Sequence, residues 1–188
     1  MTLIELLVAT MLMGIVMLGI VSVDFAVRRM QKNVSKDTFV TMRTSATLLD
    51  ISKNAAAMTG DQNNSGFNNG VSSRFCFRED INSSGVSNLT PDSYGDDNWI
   101  CYQQSVTSIL KCNSGSSPAN CLPGSFIVGT AVAGGLSVSF VPDNAQTVQN
   151  SSIAISIQNR FSPSQPVSIP DNPEVNISTQ VSPTLQSF

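Results

Sequence analysis

The sequence has no histidine and few charged or aromatic residues. Of its 188 residues, 12% are charged and 6% are aromatic. Without histidine there is no Ser–His–Asp arrangement, and no convincing acid–base pair or phosphate-cradling loop is present in its place. The few aromatic residues are scattered and predict no stacking path for bases or electrons. We therefore expect no enzymatic activity and no cofactor.

Proline is absent before Pro91, and no charged residue occurs in residues 6–23. An apolar helix of that length, at a rise of about 1.5 Å per residue, extends about 27 Å, close to the thickness of a bilayer core. Residues 1–24 are therefore predicted to form a helix that lies in a membrane or in a bundle. One carboxylate, Glu5, is placed near its start, where a charge in lipid is costly and indicates a function.

The helical pattern continues over residues 25–59. Apolar residues recur at mixed steps of three, four and seven, and charged residues fill other positions, which predicts an amphipathic helix with one apolar stripe. A polar run beginning at Gly60 ends the helix. A helix of this length is about 85 Å long, so its first half must protrude from any small domain. The predicted stripe consists of Phe25, Met30, Val34, Met42, Ala46, Leu49 and Ala56.

Residues 60–188 predict a β-sheet head. A flexible Gly- and Asn-rich connection over residues 60–75 is followed by short apolar or alternating segments, which are typical of strands. An antiparallel sheet with one apolar face needs a cover, and the helix stripe supplies it. The Pro-rich tail after Arg160 predicts an edge strand with extended loops. The fold class is therefore α+β. The predicted strands are residues 74–78, 99–103, 108–112, 126–128, 136–140 and 153–157.

Four cysteines lie in the predicted head, and they indicate two disulfides in an oxidising compartment. Cys112 and Cys121 are close enough in sequence to close a small loop, which leaves Cys76 to join Cys101 between two strands. The rival pairing joins Cys101 to Cys112 across a hairpin and Cys76 to Cys121. A metal site is disfavoured because the spacings are irregular and histidine is absent.

Charge is unevenly distributed along the chain. Residues 1–60 carry six basic and four acidic side chains, whereas residues 61–188 carry four basic and nine acidic ones. An acidic head argues against a dedicated nucleic-acid site. Asp92, Asp96 and Asp97 lie in one Gly-containing loop and offer oxygen ligands for calcium, but their spacing fits no EF-hand. A solvated acidic loop is the preferred interpretation.

The first nine residues carry a recognisable motif, Met-Thr-Leu-Ile-Glu-Leu-Leu-Val-Ala. It resembles the N-terminus of mature type IV pilins and of the pseudopilins of type II secretion systems. The resemblance is strong over about 30 residues and weak over the next 25, and beyond them it concerns general layout. It implies that a prepilin peptidase cuts before Met1 and that the new N-terminus is methylated. Phenylalanine is commoner than methionine at this position in the family.

The same resemblance implies a route of assembly. The subunit would wait in the bacterial inner membrane and pass through an inner-membrane assembly platform into a helical homo-oligomeric filament. Glu5 of one copy would neutralise the N-terminal amine at Met1 of its neighbour. Gly14 and Gly19 would either allow close helix packing or let the helix melt as it leaves lipid. Ser22 stands where the family usually has proline.

Two simpler interpretations compete with this one. A signal peptide would have a basic start, which is absent, and a better cleavage site than residues 21–24. An ordinary membrane anchor would have no need of Glu5. Arg28, Arg29 and Lys32 follow the apolar run, and the positive-inside rule would place that flank in the cytoplasm. The basic leader that is typical of the family would restore the opposite orientation.

The sequence leaves the role within the family open. A major pilin would form the whole fibre and serve adhesion, motility or DNA uptake. A minor pilin would initiate assembly or occupy the tip, and a pseudopilin would push secreted enzymes through a type II system. The strand pattern around Cys101 and Cys112 is weakly similar to longer minor pilins and pseudopilins. A monomeric membrane-anchored binding protein is the alternative from a different class.

Overall fold

The structure is a computed structural model that describes residues 2–60, 66–71, 74–80, 97–122, 125–141, 152–168 and 171–182. Within these residues the chain is α+β, with one long helix followed by eight strands. The elements are α1 (Leu3–Ala56), β1 (Phe67–Val71), β2 (Arg74–Glu79), β3 (Asn98–Ser105), β4 (Ser108–Asn113), β5 (Phe126–Thr130), β6 (Leu136–Val141), β7 (Ser152–Arg160) and β8 (Glu174–Val181).

Helix α1 is continuous over 54 residues and is therefore about 80 Å long. It ends at Ala56, slightly before the predicted end at residue 59. The reason is a contact with the head: the backbone N–H of Thr59 donates to the carbonyl of Arg78 in β2 at 3.1 Å. This bond directs the chain away from the helix axis and into the first sheet.

The strands form two antiparallel sheets within the described residues, where the sequence analysis predicted one. The first sheet has the order β1-β2-β3-β4-β5 and the second the order β6-β7-β8. Strand β1 lies inside the segment 60–75 that was predicted to be a flexible connection. Its sequence, Phe-Asn-Asn-Gly-Val, shows no alternation of apolar and polar residues, so no pattern predicts a strand there. The strand forms by antiparallel pairing with β2.

The second half of α1 packs against both sheets, with its main contacts on β8, β7 and β5. Strand β7 contributes three fully buried isoleucines at alternating positions, as expected for one face of a strand. The principal core consists of Leu48, Ile51, Ala55, Met58, Phe75, Phe77, Tyr102, Ile109, Ala131, Ile153, Ile155 and Ile157.

The face of α1 that meets the head is not the predicted stripe. Five residues of that stripe, Phe25, Met30, Val34, Met42 and Leu49, are between 56% and 70% exposed. The buried helix residues are instead Val40, Thr44, Thr47, Leu48, Ile51 and Ala55. Smaller side chains let the strands approach the helix closely, and a threonine hydroxyl is satisfied by a carbonyl one turn earlier, as in the 2.8 Å bond from Thr44 to Val40.

A buried polar junction joins the helix to both sheets. The Asn159 amide of β7 donates to Thr44 Oγ1 of the helix at 3.0 Å and to Thr130 Oγ1 of β5 at 3.2 Å. Thr47 Oγ1 donates to the carbonyl of Val128 in β5 at 3.2 Å. Next to it, Gly129 faces Thr47 so closely that a Cβ atom on the glycine would overlap the threonine side chain.

We predict that Gly129→Ala destabilises the head by about 1–3 kcal/mol, because the added methyl group must push β5 away from the helix. Urea unfolding of the full chain in detergent, followed by fluorescence of the single tryptophan, measures the change. Gly19→Ala is the control, since a Cβ there meets nothing within 4 Å. Equal stability of Gly129→Ala and the parent chain would contradict the prediction.

Two disulfides join Cys76 to Cys101 and Cys112 to Cys121, which is the first of the two pairings considered above. Cys76 and Cys101 face each other across β2 and β3 with Cα atoms 4.0 Å apart, the close spacing of a non-hydrogen-bonded pair. Cys101 also faces Cys112 across β3 and β4. Cys76 and Cys112 are therefore both adjacent to Cys101 in the sheet, and the bond is to Cys76.

We predict that limiting dithiothreitol reduces Cys112–Cys121 before Cys76–Cys101, by about tenfold or more in rate, because access governs thiol–disulfide exchange. Cys76 and Cys101 are fully buried, whereas Cys112 and Cys121 are partly exposed. Alkylation and mass spectrometry identify the cysteines released at each time. In urea the two rates should converge, and earlier labelling of Cys76 in the folded chain would contradict the prediction.

Candidate assembly surface of the long helix

The first part of α1 extends away from the head, and nearly all of its side chains up to residue 35 are exposed. The helix is long and apolar enough to cross a membrane, and none of its most apolar stretch is buried in the chain. Fifteen large apolar side chains over residues 3–23 are between 49% and 80% exposed. A surface of this extent needs lipid or other helices to cover it.

Glu5 lies at the beginning of this surface and caps the helix. Its Oε2 atom accepts the backbone N–H of Thr2 at 2.8 Å, and its own N–H donates to Thr2 Oγ1 at 3.4 Å. This reciprocal arrangement is a capping box, and it holds the carboxylate at the positive end of the helix dipole. An ionised carboxylate accepts about four hydrogen bonds, so the cap leaves it able to accept more. Met1 lies outside the described residues, and its pairing with Glu5 stays a prediction.

Gly14 and Gly19 lie in an unbroken part of the helix. A Cβ atom at either position would meet nothing within 4 Å, so no contact inside the chain requires glycine there. Each glycine costs about 1 kcal/mol relative to alanine in a helix interior. No contact with the described residues therefore accounts for either glycine. Whether they allow close packing or local melting concerns the assembled state and stays a prediction.

The exposed apolar surface continues beyond the predicted membrane boundary. Met30, Val34, Met42 and Leu49 lie on parts of the helix that the head leaves uncovered. Periodicity predicted that these residues face the head, because it finds an apolar stripe without showing which surface covers that stripe. The structure leaves them available to a partner.

A polar cluster fixes the last turns of α1 to the first sheet. Tyr102 Oη donates to Asp50 Oδ2 at 2.7 Å, and Lys111 Nζ donates to Asp50 Oδ1 at 2.9 Å. The Asn54 amide donates to Tyr102 Oη at 2.6 Å. Burial, followed by the neighbouring Asp50, raises the pKa of Tyr102 above its ordinary value of 10.0. No sequence pattern indicates this cluster, because its members come from three elements.

A second feature without a sequence signal is an open groove where the helix enters the head. Phe39 of the helix and Phe161, which follows β7, form its apolar walls with ring centroids 6.0 Å apart. Lys36 lies with its Nζ atom 5.6 Å from the centre of the Phe161 ring and donates to the carbonyl of Asp171 at 2.9 Å. Lys32 and Ser35 complete the lining.

Among the described residues, no group of three or more histidine, cysteine, aspartate or glutamate side chains is arranged to hold a metal ion. Asp92 and Asp96 of the acidic loop lie outside those residues. Asp97 is buried and lies 3.9 Å from the guanidinium of Arg78.

Comparison with known proteins finds no match to a family model, to a curated protein or to a solved structure. The resemblance at the N-terminus therefore rests on the motif in residues 1–9.

We predict that Tyr102 remains neutral well above pH 10 while the head is folded. Because its pKa is raised in the folded chain, its contribution to stability is complete below about pH 10 and declines at higher pH, where the unfolded chain ionises. The chain has two tyrosines, so Tyr94→Phe leaves Tyr102 alone to titrate by tyrosinate absorbance. The same variant in urea should titrate near 10, and a normal titration in the folded chain would contradict the prediction.

Asp50→Asn in the Tyr94→Phe background separates the effect of burial on the pKa of Tyr102 from the effect of the Asp50 carboxylate. Burial is the larger cause, so the pKa of Tyr102 should stay raised without the carboxylate, but less so.

Proposed function

We propose that this chain is a structural subunit of a type IV pilus-like filament. The observation that carries the proposal is the protruding part of α1, whose apolar side chains are exposed and whose first turn holds one carboxylate, Glu5. The motif in residues 1–9 supports the same assignment. The subunit would reside in the bacterial inner membrane before assembly and in an extracellular filament afterwards.

The free energy of the apolar surface supports an assembled state. Burying one large apolar side chain contributes about 1.5–3 kcal/mol, so fifteen exposed ones cannot remain in water. Before assembly a bilayer would cover them. In the filament the helices of neighbouring copies would replace the lipid, and a bundle of helices would form the core.

Glu5 would set how far one copy is shifted along the filament relative to the next. Its carboxylate would pair with the N-terminal amine at Met1 of an adjacent copy, after cleavage by a prepilin peptidase. Removing one partner from a buried ion pair costs about 3–5 kcal/mol, because the other charge is left uncompensated. The capping box would hold the carboxylate at the helix end, where a neighbour's amine can approach it.

The exposed residues beyond the membrane segment favour a filament over a monomeric anchored protein. Such an anchor needs an apolar helix only within the bilayer, whereas Met30, Val34 and Met42 remain exposed farther along α1. A minor pilin or a type II secretion pseudopilin is the second candidate, because both use the same kind of helix. Glu5 argues against the extreme tip only.

We predict that Glu5→Gln inserts and folds normally but lowers the filament yield at least about tenfold. The glutamine oxygen can still accept the Thr2 N–H bond, so this variant keeps the cap while it removes the charge. Glu5→Ala removes both and should assemble no better. Membrane fractionation measures insertion, the disulfides report folding of the head, and electron microscopy of sheared fibres measures yield.

Asp37→Asn is the matched control, because it removes one exposed carboxylate from the same helix outside the apolar segment. It should assemble normally. Normal filament yield from Glu5→Gln would refute the proposed role of the charge. Cryo-electron microscopy of the fibres then separates the candidates: fibres built wholly of this chain indicate a major pilin, and fibres in which it is rare indicate a minor pilin.

A further inference from the structure

The second half of α1 carries a row of exposed residues at the spacing of a coiled-coil seam. Its members follow one another at steps of three, four and three residues, and all of them are exposed. The three large ones are between 53% and 70% exposed. Alternating steps of three and four residues are the pattern by which two helices pack along each other. This row, the outer seam, consists of Phe39, Met42, Ala46 and Leu49.

The outer seam lies on the side of α1 that faces away from the head. Met42 and Leu49 each lie two residues before a buried position, Thr44 and Ile51 respectively. Two residues correspond to a rotation of about 200° around the helix, so the seam and the buried residues point in opposite directions. Within the described residues, both sheets pack on the buried side, and the seam is left open to a second helix.

Charged residues flank the seam line in a way that suits two parallel copies. Continued toward the N-terminus at the same spacing, the line passes through Phe25 and Arg28. Asp24 then lies on one flank of the line and Arg29 on the other. Flanking side chains that are five residues apart meet across a parallel pair of helices, so Asp24 of one copy would meet Arg29 of the other.

Both members of this pair have capacity for the contact. Arg29 makes no ion pair with any of the described residues. Asp24 is bonded to Arg28 of its own chain at 2.8 Å, and an ionised carboxylate accepts about four hydrogen bonds. The symmetry of two parallel copies produces the pair twice, once on each side of the contact.

Two lysines limit the number of helices that can meet at the seam. Lys32 and Lys53 lie on the seam line at either end of the apolar section. A lysine at such a position lowers the stability of a helix pair but restricts register and oligomeric state. Its long side chain can reach water from the edge of a pair, whereas a larger bundle would enclose it.

We propose that two copies of this chain, anchored side by side in one membrane, form a parallel dimer through the outer seam. Copies that span the bilayer in the same orientation hold the same residues at the same height, so each seam residue faces its counterpart. Attachment to one membrane also raises the effective concentration of the two seams, which favours a short contact. The inference rests on the membrane stage of the proposed function and needs no filament.

The dimer would be a state that precedes assembly. A contact between identical surfaces closes in a pair and cannot continue from copy to copy, whereas an open helical polymer requires contacts between different surfaces. The two copies would therefore separate as they enter the filament. Until then each would cover the apolar seam of the other, with the two heads on opposite sides of the pair.

A photocrosslinker tests the contact directly. Full chains with benzoylphenylalanine in place of Leu49 are reconstituted with parent chains labelled with a heavy isotope, in vesicles of phosphatidylethanolamine and phosphatidylglycerol. Mass spectrometry should find the crosslink in residues 44–53 of the labelled copy. Val34 is the control position, because it is exposed and apolar but lies off the seam line. Position 49 should give about tenfold more crosslinked dimer than position 34.

Charge exchange tests the pairing of Asp24 with Arg29. Chains with Asp24→Lys repel each other, as do chains with Arg29→Glu, but a mixture of the two restores opposite charges in the heterodimer. Differently tagged copies, crosslinked through position 49, should give about tenfold more heterodimer than either homodimer at low salt. The preference should decline as salt screens the charges.

Arg43→Glu is the matched control for the charge exchange. Arg43 is exposed and lies on the same flank as Arg29, but the residue that it would meet in the dimer is Thr38. A mixture of this variant with Asp24→Lys should show no preference for the heterodimer. A preference as large as that of Arg29→Glu would contradict the proposed register.

The outcomes separate the dimer from the proposed function. The position-49 crosslink together with the heterodimer preference supports the dimer, and it does so even if the chain forms no filaments and the proposed function fails. A crosslink from position 49 to the protruding part of another copy, to lipid or to nothing overturns the dimer, even if filaments form normally. If the chain does not insert into membranes, the membrane stage of the proposed function fails and the dimer fails with it.

Discussion

The structure depends on a difference in length, because the helix is much longer than the part of it that the head covers. Helix α1 is about 80 Å long, and the two sheets cover only the part that begins near Lys36 and Val40. The remaining apolar surface has no cover within the chain. An uncovered apolar surface of this size is typical of a membrane or protein interaction site, which is why the proposed function assigns it to lipid and then to neighbouring helices.

The attachment of the helix to the head combines an apolar core with a set of directional polar contacts. Asn159 joins the helix to both sheets through Thr44 and Thr130, and the cluster of Asp50, Tyr102 and Lys111 fixes the last turns. Directional bonds of this kind specify one orientation of the helix, whereas an apolar contact alone would tolerate sliding. The protruding part therefore leaves the head in a defined direction.

Much of the fold could be predicted from the sequence, since the long helix and the strands from β2 to β7 follow from periodicity. Strand β1 could not be predicted, because its apolar and polar residues do not alternate and the strand forms by pairing with β2. The helix face was predicted wrongly because threonines in a core satisfy their own hydroxyls and count as polar in any pattern. In the candidate site, Glu5 and the apolar run are visible in the sequence. The groove at Phe39 and Phe161 is not, because its two walls are more than a hundred residues apart.

The disulfide between Cys76 and Cys101 has a mechanical consequence. In the proposed filament, tension along the helices would reach each head through α1. Thr59, just after the end of the helix, is hydrogen-bonded to β2, and the covalent bridge ties β2 to β3, so these two strands cannot separate one hydrogen bond at a time. The sheet as a whole would then bear the tension, so in the proposed fibre the head would carry force as well as cover the surface.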